Sequence, residues 1–243
     1  MPLSFGFGKS QFSMKGNAAP GIPTNGLVTF LDASNSASYS GTGSTWSDVG
    51  GGGIHATLFS SPTFNSVAPK AFVFSGGKYG RFNTNATWDS LSNITYSVWV
   101  KPIDVGTGGL VSHMGGLGEF FIFNTGFYWR NASTVSSGSN TLNPGSNTLT
   151  ANTWYMLSST YDGQTLKIYK NGALLTSQAA VRTAANITAD RAMIFAAAWE
   201  TNPGVSGGYG LNGQISSIRI YNRALTLQEI STTFDLTKAY FGL

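Results

Sequence analysis

The stretch from Asn152 to Gln178, NTWYMLSSTYDGQTLKIYKNGALLTSQ, most constrains the fold of this chain, because it holds three strand-like runs separated by two strong turn signals. Asp162-Gly163 and Asn171-Gly172 are dipeptides that tolerate positive φ angles, which a type I′ hairpin turn requires. The runs between them alternate bulky and small or polar side chains, as strands with two different faces do. The stretch therefore predicts a three-stranded antiparallel meander with two tight turns.

Further strand signals occur on both sides of this meander. The run ITYSVWV, Ile94–Val100, has strict period-2 alternation, and similar signals occur at 26–32, 193–199 and 212–221. The chain has 31 glycines and only 10% charged residues, which suits short strands joined by turns and disfavours surface helices. The sequence therefore predicts an all-β domain.

One segment near the C-terminus is predicted to be helical. Thr226-Leu227-Gln228-Glu229 has the pattern of a capping box, in which the threonine hydroxyl and the glutamate carboxylate each accept a free backbone N–H. A short helix from Leu227 to about Phe234 is expected.

Several segments together resemble laminin-G-like domains of the concanavalin A-like lectin/glucanase superfamily. They are STWSDVGGGGIHATL, AFVFSGGKYGRF, ITYSVWVKP, NTWYMLSSTYDGQTLKIYKNGALL and LNGQISSIRIYNRALTLQEI, in this order. The opening GLVTFLDASNSASYSGTGSTWSD is similar to versions in bacteriophage and other viral structural proteins.

The resemblance covers residues 26 to about 234 and implies a jelly-roll sandwich of two antiparallel sheets. This gives three parts: an N-terminal arm (1–25), a laminin-G-like β-sandwich (26–234) and a C-terminal tail (235–243). Members of the superfamily include lectins, adhesion modules, structural domains and glycoside hydrolases, so the residues of the site must decide the function.

A catalytic site is not indicated. Glycoside hydrolysis needs two carboxylates placed across a cleft, whereas Glu119, Glu200 and Glu229 are isolated in the sequence. His55 and His113 are far apart, with no evident nucleophile beside either. The sequence therefore predicts a protein that is not an enzyme.

No metal or other cofactor is expected. The absence of cysteine excludes thiolate ligands. Many relatives in the resembled family carry Phe-Asp-Gly followed by Asp or Asn, but this chain has Phe74-Ser75-Gly76-Gly77-Lys78, which lacks the acidic ligands that calcium prefers. Calcium stays open only through Asp32, Asp48 and Asp162, and Asp162 is better explained as a turn residue.

Exposed aromatic residues on a β-sandwich can stack on sugar rings while Asn and Arg bind hydroxyl groups. Two segments have this composition: Trp129-Arg130-Asn131, and Trp199 with Asn202 and Tyr209 in the loop that follows it. They are the predicted glycan-binding residues. The alternative is that Trp129 and Trp199 belong to the core, as is common for tryptophan in strands.

The arm carries Phe5, Phe7 and Phe12, which are suitable anchors for docking on a partner or on its own domain. Tyr240 and Phe241 in the tail form a second predicted assembly contact. The first 25 residues contain no apolar region like that of a signal peptide, and no apolar run is long enough to cross a membrane, so we expect neither classical secretion nor membrane insertion.

These observations lead to a functional expectation. We expect a non-enzymatic virion surface protein, such as a capsid decoration, head-fibre or tail-associated adhesion module, with a possible glycan-binding role. Its partners would be other virion proteins, reached through the arm, and further copies of itself in the assembly. Its 14 basic residues are scattered singly, which argues against nucleic acid. The alternative is a bacterial extracellular carbohydrate-binding module.

Overall fold

The computed structural model describes residues 21–83, 92–113, 118–123, 126–130, 141–142, 149–179, 193–197, 200–202, 205–206 and 210–243. Within these ranges the strands are, in chain order, β1 (Leu27–Asp32), β2 (Thr45–Trp46), β3 (Ala56–Phe59), β4 (Thr63–Asn65), β5 (Ala71–Phe74), β6 (Tyr79–Phe82), β7 (Ile94–Pro102), β8 (Thr107–His113), β9 (Gly118–Phe123), β10 (Gly126–Arg130), β11 (Thr141–Leu142), β12 (Tyr155–Tyr161), β13 (Thr165–Lys170), β14 (Ala173–Ala179), β15 (Ile194–Phe195), β16 (Glu200–Asn202), β17 (Val205–Ser206) and β18 (Gly213–Tyr221). One helix, α1 (Leu227–Thr237), is followed by a 3₁₀ turn (Lys238–Phe241).

The strands form two antiparallel sheets, which confirms the predicted all-β sandwich. Sheet A has the order β14-β13-β12-β7-β18-β5-β4, with β1 also paired to β18. Sheet B has the order β11-β10-β9-β8-β15-β6-β3-β2, and β16 and β17 form a separate hairpin. The main core lies between the two sheets and combines side chains of β7 and β12 with Phe120, Ile122 and Phe195 of sheet B.

The central strand β7 shows why sheet A is buried on both faces. Ile94 and Val98 alternate with residues of the other face and join the main core, as their spacing predicts. Trp99 points to the opposite face and belongs to a second apolar cluster with Met156 and Ile230. Helix α1 contributes Ile230 and the partly buried Phe234 to that cluster, so the outer face of sheet A is covered around Trp99.

The predicted meander is confirmed as β12, β13 and β14, but one turn differs in position. Asn171 and Gly172 both have positive φ, 51° and 81°, as a type I′ turn requires. In the other turn only Gly163 has a positive φ, because the backbone of Asp162 pairs with Thr165. The central residues of that turn are therefore 163 and 164 rather than the predicted 162 and 163.

The capping box is also confirmed. The Glu229 N–H donates to Thr226 Oγ1 at 3.2 Å, and the Thr226 N–H donates to Glu229 Oε2 at 2.8 Å. The helix runs three residues beyond the predicted end, because its last turn packs on the sheet and Trp99 Nε1 donates to Thr237 Oγ1 at 3.1 Å.

The 3₁₀ turn closes the outer face of sheet A. The ring of Phe241 stacks on Trp99 with centroids 3.8 Å apart and also contacts Trp154 at 5.0 Å. Tyr240, which is 39% exposed, accepts a hydrogen bond through its hydroxyl from the Lys70 N–H. Residues 235–243, assigned to a tail from the sequence, are thus packed against the sandwich.

Two kinds of feature are absent from the part of the chain that the structure describes. None of the helices there has the length and apolarity needed to cross a membrane. The same ranges contain no group of three or more His, Cys, Asp or Glu residues that could hold a metal ion.

Candidate functional site

Three of the predicted glycan-binding residues lie in described strands, two of them in sheet B and one in the β16–β17 hairpin. Trp129 and Arg130 are in β10 and Asn202 is in β16, where the structure describes the backbone but not their side chains. Asn131, Trp199 and Tyr209 lie outside the described residues, as do the arm residues Phe5, Phe7 and Phe12. Their binding roles stay predictions.

The strand register distinguishes position 129 from position 130. Trp129 lies opposite Phe120 and Leu142, and both of these residues belong to the buried core. Arg130 lies opposite Glu119 and therefore on the other face of sheet B. Residues directly opposite each other share a face of a sheet, so position 129 faces the core and position 130 faces outward.

The strands of sheet B that precede the two predicted segments, β10 and β15, run in different directions. β15 and β10 are separated by β8 and β9 in a fully antiparallel order, so β15 and β10 run in opposite directions. Arg130 at the end of β10 pairs with Glu119, Glu119 pairs with Ser112, and Ser112 pairs with Ile194 at the start of β15. The end of β10 and the start of β15 therefore lie in the same row of residues across the sheet. β15 therefore runs away from the row of the sheet at which β10 ends.

The outer face of β3 and β6 carries a third group of residues, which sequence reasoning missed. We define the β3–β6 patch as His55, Thr57, Phe59, Tyr79, Arg81 and Asn83. In the ladder, Thr57 lies opposite Arg81 and Phe59 lies opposite Tyr79. The Phe59 and Tyr79 rings are stacked, with centroids 4.8 Å apart and an interplanar angle of 7°. The guanidinium carbon of Arg81 lies 5.0 Å from the Phe59 centroid.

The alternation of β6 explains why these side chains face outward. Gly80, between Tyr79 and Arg81, lies on the inner face, where an added Cβ would be 2.0 Å from the Phe195 ring. Phe82 and Ala56 face the same way and are buried in the main core. Tight packing on the inner face therefore fixes the orientation of the outer face.

The polar members of the patch are oriented by hydrogen bonds. Thr57 Oγ1 donates to Asn83 Oδ1 at 3.0 Å, which turns the amide nitrogen of Asn83 away from this contact. The Asp48 N–H donates to His55 Nδ1 at 3.0 Å, so a neutral imidazole carries its proton on Nε2. His55 and Asn83 are both exposed and present N–H donors at the rim of the patch.

The Asp48 carboxylate organises the four consecutive glycines that precede β3. It accepts hydrogen bonds from the N–H groups of Phe30, Gly50 and Gly53 at 2.7–2.8 Å. Gly52 passes so close to β1 that an added Cβ would lie 1.8 Å from the Val28 carbonyl oxygen. The glycine run therefore serves close packing around an aspartate.

The other two aspartates considered as possible calcium ligands also accept hydrogen bonds from neighbouring residues. Asp32 Oδ1 accepts from the N–H and hydroxyl of Ser34 at 2.9 and 2.7 Å. Asp162 Oδ1 accepts from the N–H groups of Gln164 and Thr165, and the pKa of Asp162 is lowered although its partial burial acts in the raising direction. Both contacts are those of turn-forming aspartates.

The root of the N-terminal arm is fixed by an ion pair at the start of α1. Arg223 Nε donates to the Asn25 carbonyl at 2.9 Å, and its guanidinium binds Glu229 through both terminal nitrogens. The Tyr221 hydroxyl donates to the Pro23 carbonyl at 3.1 Å, and Ile22 is buried. Residues 22–25, assigned to the arm from the sequence, thus contact the sandwich.

This ion pair predicts a pH-dependent stability. The hydrogen bond from Arg223 lowers the pKa of Glu229 to about 2. A carboxylate with a depressed folded-state pKa stabilises the fold above its unfolded-state pKa, and this stabilisation is lost as the pH falls toward the folded-state value. At pH 7 we expect Glu229→Gln to lower the free energy of unfolding by about 1–2 kcal/mol after allowance for solvent screening. Urea denaturation from pH 7 to pH 2 should show the gap to wild type closing below about pH 4.5.

Asp235→Asn is the matched control, because the Asp235–Lys238 pair is more exposed, at 56% and 39% of the two side chains. Its effect on the free energy of unfolding should stay below about 1 kcal/mol. A Glu229→Gln variant with the same pH profile as wild type would show that the pair does not stabilise the fold.

Comparisons with known proteins agree with this architecture. Residues 74–231 match the family model Laminin_G_3, described as concanavalin A-like lectin/glucanases superfamily. No curated protein matches the chain.

Solved structures with a similar fold include a mutant of Trypanosoma rangeli sialidase with trans-sialidase activity (TM-score 0.62, 19% identity, covering 91% of this chain and 34% of that one). The receptor-binding domain of botulinum neurotoxin C/D mosaic serotype has a TM-score of 0.66 and 16% identity over 90% of this chain and 55% of that one. For botulinum neurotoxin type C, whose cell entry depends on interaction with two ganglioside molecules, the values are 0.62 and 15%, over 88% and 51%. This chain thus spans 34–55% of these proteins, and the likeness shows a shared fold.

Proposed function

Because the chain belongs to the Laminin_G_3 family of the concanavalin A-like lectin/glucanase superfamily, we propose that it is a non-enzymatic glycan-recognition module displayed on a virion surface, as a capsid decoration, head-fibre or tail-associated adhesion module. One observation carries the recognition role. The outer face of sheet A around β7 is covered by α1 and the 3₁₀ turn, whereas β3 and β6 of sheet B carry the partly exposed Phe59 ring and Arg81 guanidinium on the outer face. Fixed side chains on rigid strands are suited to binding.

The roles of the described carboxylates support a non-enzymatic function. A glycosidase needs one carboxylic acid with a raised pKa and a second carboxylate beside the scissile bond. Glu229 instead has its pKa lowered to about 2 by Arg223, and Asp48 accepts three backbone N–H groups. These groups serve the fold. A sialidase shares the fold, so the fold alone does not decide between binding and catalysis.

The virion location rests on sequence features. From the sequence we interpret the opening GLVTFLDASNSASYSGTGSTWSD as resembling versions in phage structural proteins, and the arm carries spaced phenylalanines suited to docking in a larger assembly. Beside the root of the arm, an added Cβ on Gly21 would lie 3.3 Å from Leu236, which is 44% exposed. The arm thus joins the sandwich beside the exposed side chain of Leu236.

A bacterial extracellular carbohydrate-binding module is the second candidate. The structural neighbour whose cell entry depends on two gangliosides favours sugar recognition in either setting. Genes for capsid or tail proteins beside the coding sequence would favour the virion protein, and a polysaccharide-utilisation cluster would favour the second candidate.

Two measurements test the proposal. The full-length protein on a broad glycan array is expected to bind a defined subset of glycans, and mass spectrometry of purified virions is expected to find the protein among the structural components. An array without any bound glycan would contradict the recognition role. Absence of the protein from purified particles would contradict the virion location.

A further inference from the structure

We propose that the β14 edge, the side of strand Ala173–Ala179 that faces away from β13, pairs antiparallel with the same edge of a second copy of this chain. This inference goes beyond the proposed glycan recognition and does not depend on it. The sequence led us to expect further copies of the protein in an assembly, and the β14 edge is a defined surface for that contact.

The other edge strands of the described sheets are protected against pairing. Sheet A ends in β4, and sheet B ends in β11 and β2, strands of three, two and two residues. β1 has six residues, but the segment before β3 covers it: the Val49 N–H donates to the Phe30 carbonyl at 2.9 Å, and Gly52 approaches the Val28 carbonyl oxygen closely. Short edge strands and covering loops are common ways in which proteins prevent association between sheet edges.

β14 lacks this protection. It has seven residues, all of them at least partly exposed, and none of them is charged or a proline. In the part of the chain that the structure describes, β14 pairs with β13 alone. One irregularity, a β-bulge at Leu175, leaves Thr176–Ala179 as a regular edge.

The hairpin register shows which backbone groups of β14 point away from the sheet. The two-residue turn between β13 and β14 makes its flanking residues, Lys170 and Ala173, a hydrogen-bonded pair. Such pairs alternate along a hairpin with pairs whose N–H and C=O groups point outward. Counted along β13, which has no extra residue, the outward-pointing positions of β14 are Leu174, Ser177 and Ala179. These positions can form hydrogen bonds with a further strand.

A second copy of β14 fits this edge by charge and by symmetry. A two-fold axis at Ser177 sets the two strands antiparallel, so that the same surface of each copy is in contact. Because residues 173–179 carry no charge, the identical edges meet without repulsion between like charges. The axis also brings Leu174, which is 44% exposed, beside Ala179 of the other copy and buries an exposed apolar side chain.

Helix α1 adds apolar surface next to β14, which it contacts. An added Cβ on Gly172, just before β14, would lie 3.2 Å from the Ser231 Cα. Leu227, which is 51% exposed, lies one helical turn before Ser231 and therefore on the same side of α1. One strand and two leucines from each copy bury less area than a standard stable interface. We therefore expect a weak dimer, with a Kd on the order of 10–100 µM, that forms where copies are crowded.

Cysteine cross-linking tests the pairing directly, because the chain contains no cysteine. The Cα atoms of a hydrogen-bonded antiparallel pair are about 5.5 Å apart, which is within the range of a disulfide. Full-length Ser177→Cys at about 100 µM under mild oxidation is expected to give mainly a covalent dimer, measured on a non-reducing gel and by intact mass. Thr63→Cys is the matched control, since Thr63 is also exposed but lies on β4 at the opposite end of sheet A. It should stay monomeric.

Sedimentation equilibrium of cysteine-free proteins measures the affinity. Ser177→Lys places a positive charge from each copy at the axis and is expected to raise the Kd at least about tenfold. Thr63→Lys adds the same charge to the other edge of sheet A and should dimerise as wild type does. Both positions are exposed, so the melting temperatures of the two variants should equal that of wild type.

Three results would overturn the proposed contact. Wild type that stays monomeric up to about 1 mM forms no such dimer. A Ser177→Lys variant that dimerises as tightly as wild type places the contact on another surface. A wild-type dimer whose Ser177→Cys variant does not cross-link, or cross-links no better than Thr63→Cys, shows that another segment, such as the N-terminal arm of the second copy, occupies the interface. None of these results changes the outcome of the glycan array.

Discussion

Replacing Trp99 with alanine is expected to lower the free energy of unfolding by about 3–5 kcal/mol, because the ring is fully buried between sheet A and the C-terminal segment. Its indole stacks on Phe241 at 3.8 Å and packs against Phe234 at 5.9 Å. Its Nε1–H donates to Thr237. The truncation removes these contacts together and leaves a cavity beneath the last turn of α1. Equilibrium denaturation in guanidinium chloride measures the change.

Trp99→Phe separates packing from hydrogen bonding at this position. It keeps an aromatic ring for Phe241 but loses the donor to Thr237, so its cost should be about 1–2 kcal/mol. If Trp99→Ala costs less than about 1 kcal/mol, the C-terminal segment does not depend on this anchor for its position.

The sequence predicts on which face of β7 the Trp99 side chain lies, but it does not predict which residues cover that side chain. The alternation of side chains along β7 is a local pattern, and it placed Trp99 on the face of the strand opposite to that of the core side chains Val98 and Val100. The cover, however, comes from Thr237 and Phe241, and the Trp99–Thr237 bond joins residues 138 positions apart. Hairpin turns and the helix cap were predictable because each depends on a few neighbouring residues.

The same distinction applies to the candidate site. Whether position 129 faces the core depends on its register against β9 and β11, and no local signal in the sequence of β10 sets that register. The β3–β6 patch depends on pairing Thr57 with Arg81, which lie 24 positions apart in the chain. The alternation of Tyr79 and Arg81 around Gly80 was the available signal, because it places both on one face of a strand.

The contacts at the root of the arm also define where a useful truncation should end. Ile22 is buried and the carbonyls of Pro23 and Asn25 accept hydrogen bonds from Tyr221 and Arg223. Deleting residues 2–24 would therefore remove part of the folded domain as well as the arm. A deletion of residues 2–20 keeps these contacts and tests the arm alone.

The truncated protein lacking residues 2–20 is expected to melt at the wild-type temperature and to be incorporated into virions at less than about a tenth of the wild-type level. Under the proposed docking mode, Phe5, Phe7 and Phe12 would place apolar side chains in a partner's groove, and the backbone between them would add a strand to a partner's sheet edge. Ordering about 20 residues on docking costs roughly 1–2 kcal/mol each for the backbone, so only extensive burial and main-chain hydrogen bonds can offset it.

A full-length variant with all three phenylalanines changed to serine separates side-chain burial from strand addition. Quantitative immunoblotting of purified particles measures incorporation, and a normal level for the truncated protein would assign the anchoring surface to the sandwich or to the exposed side of Tyr240.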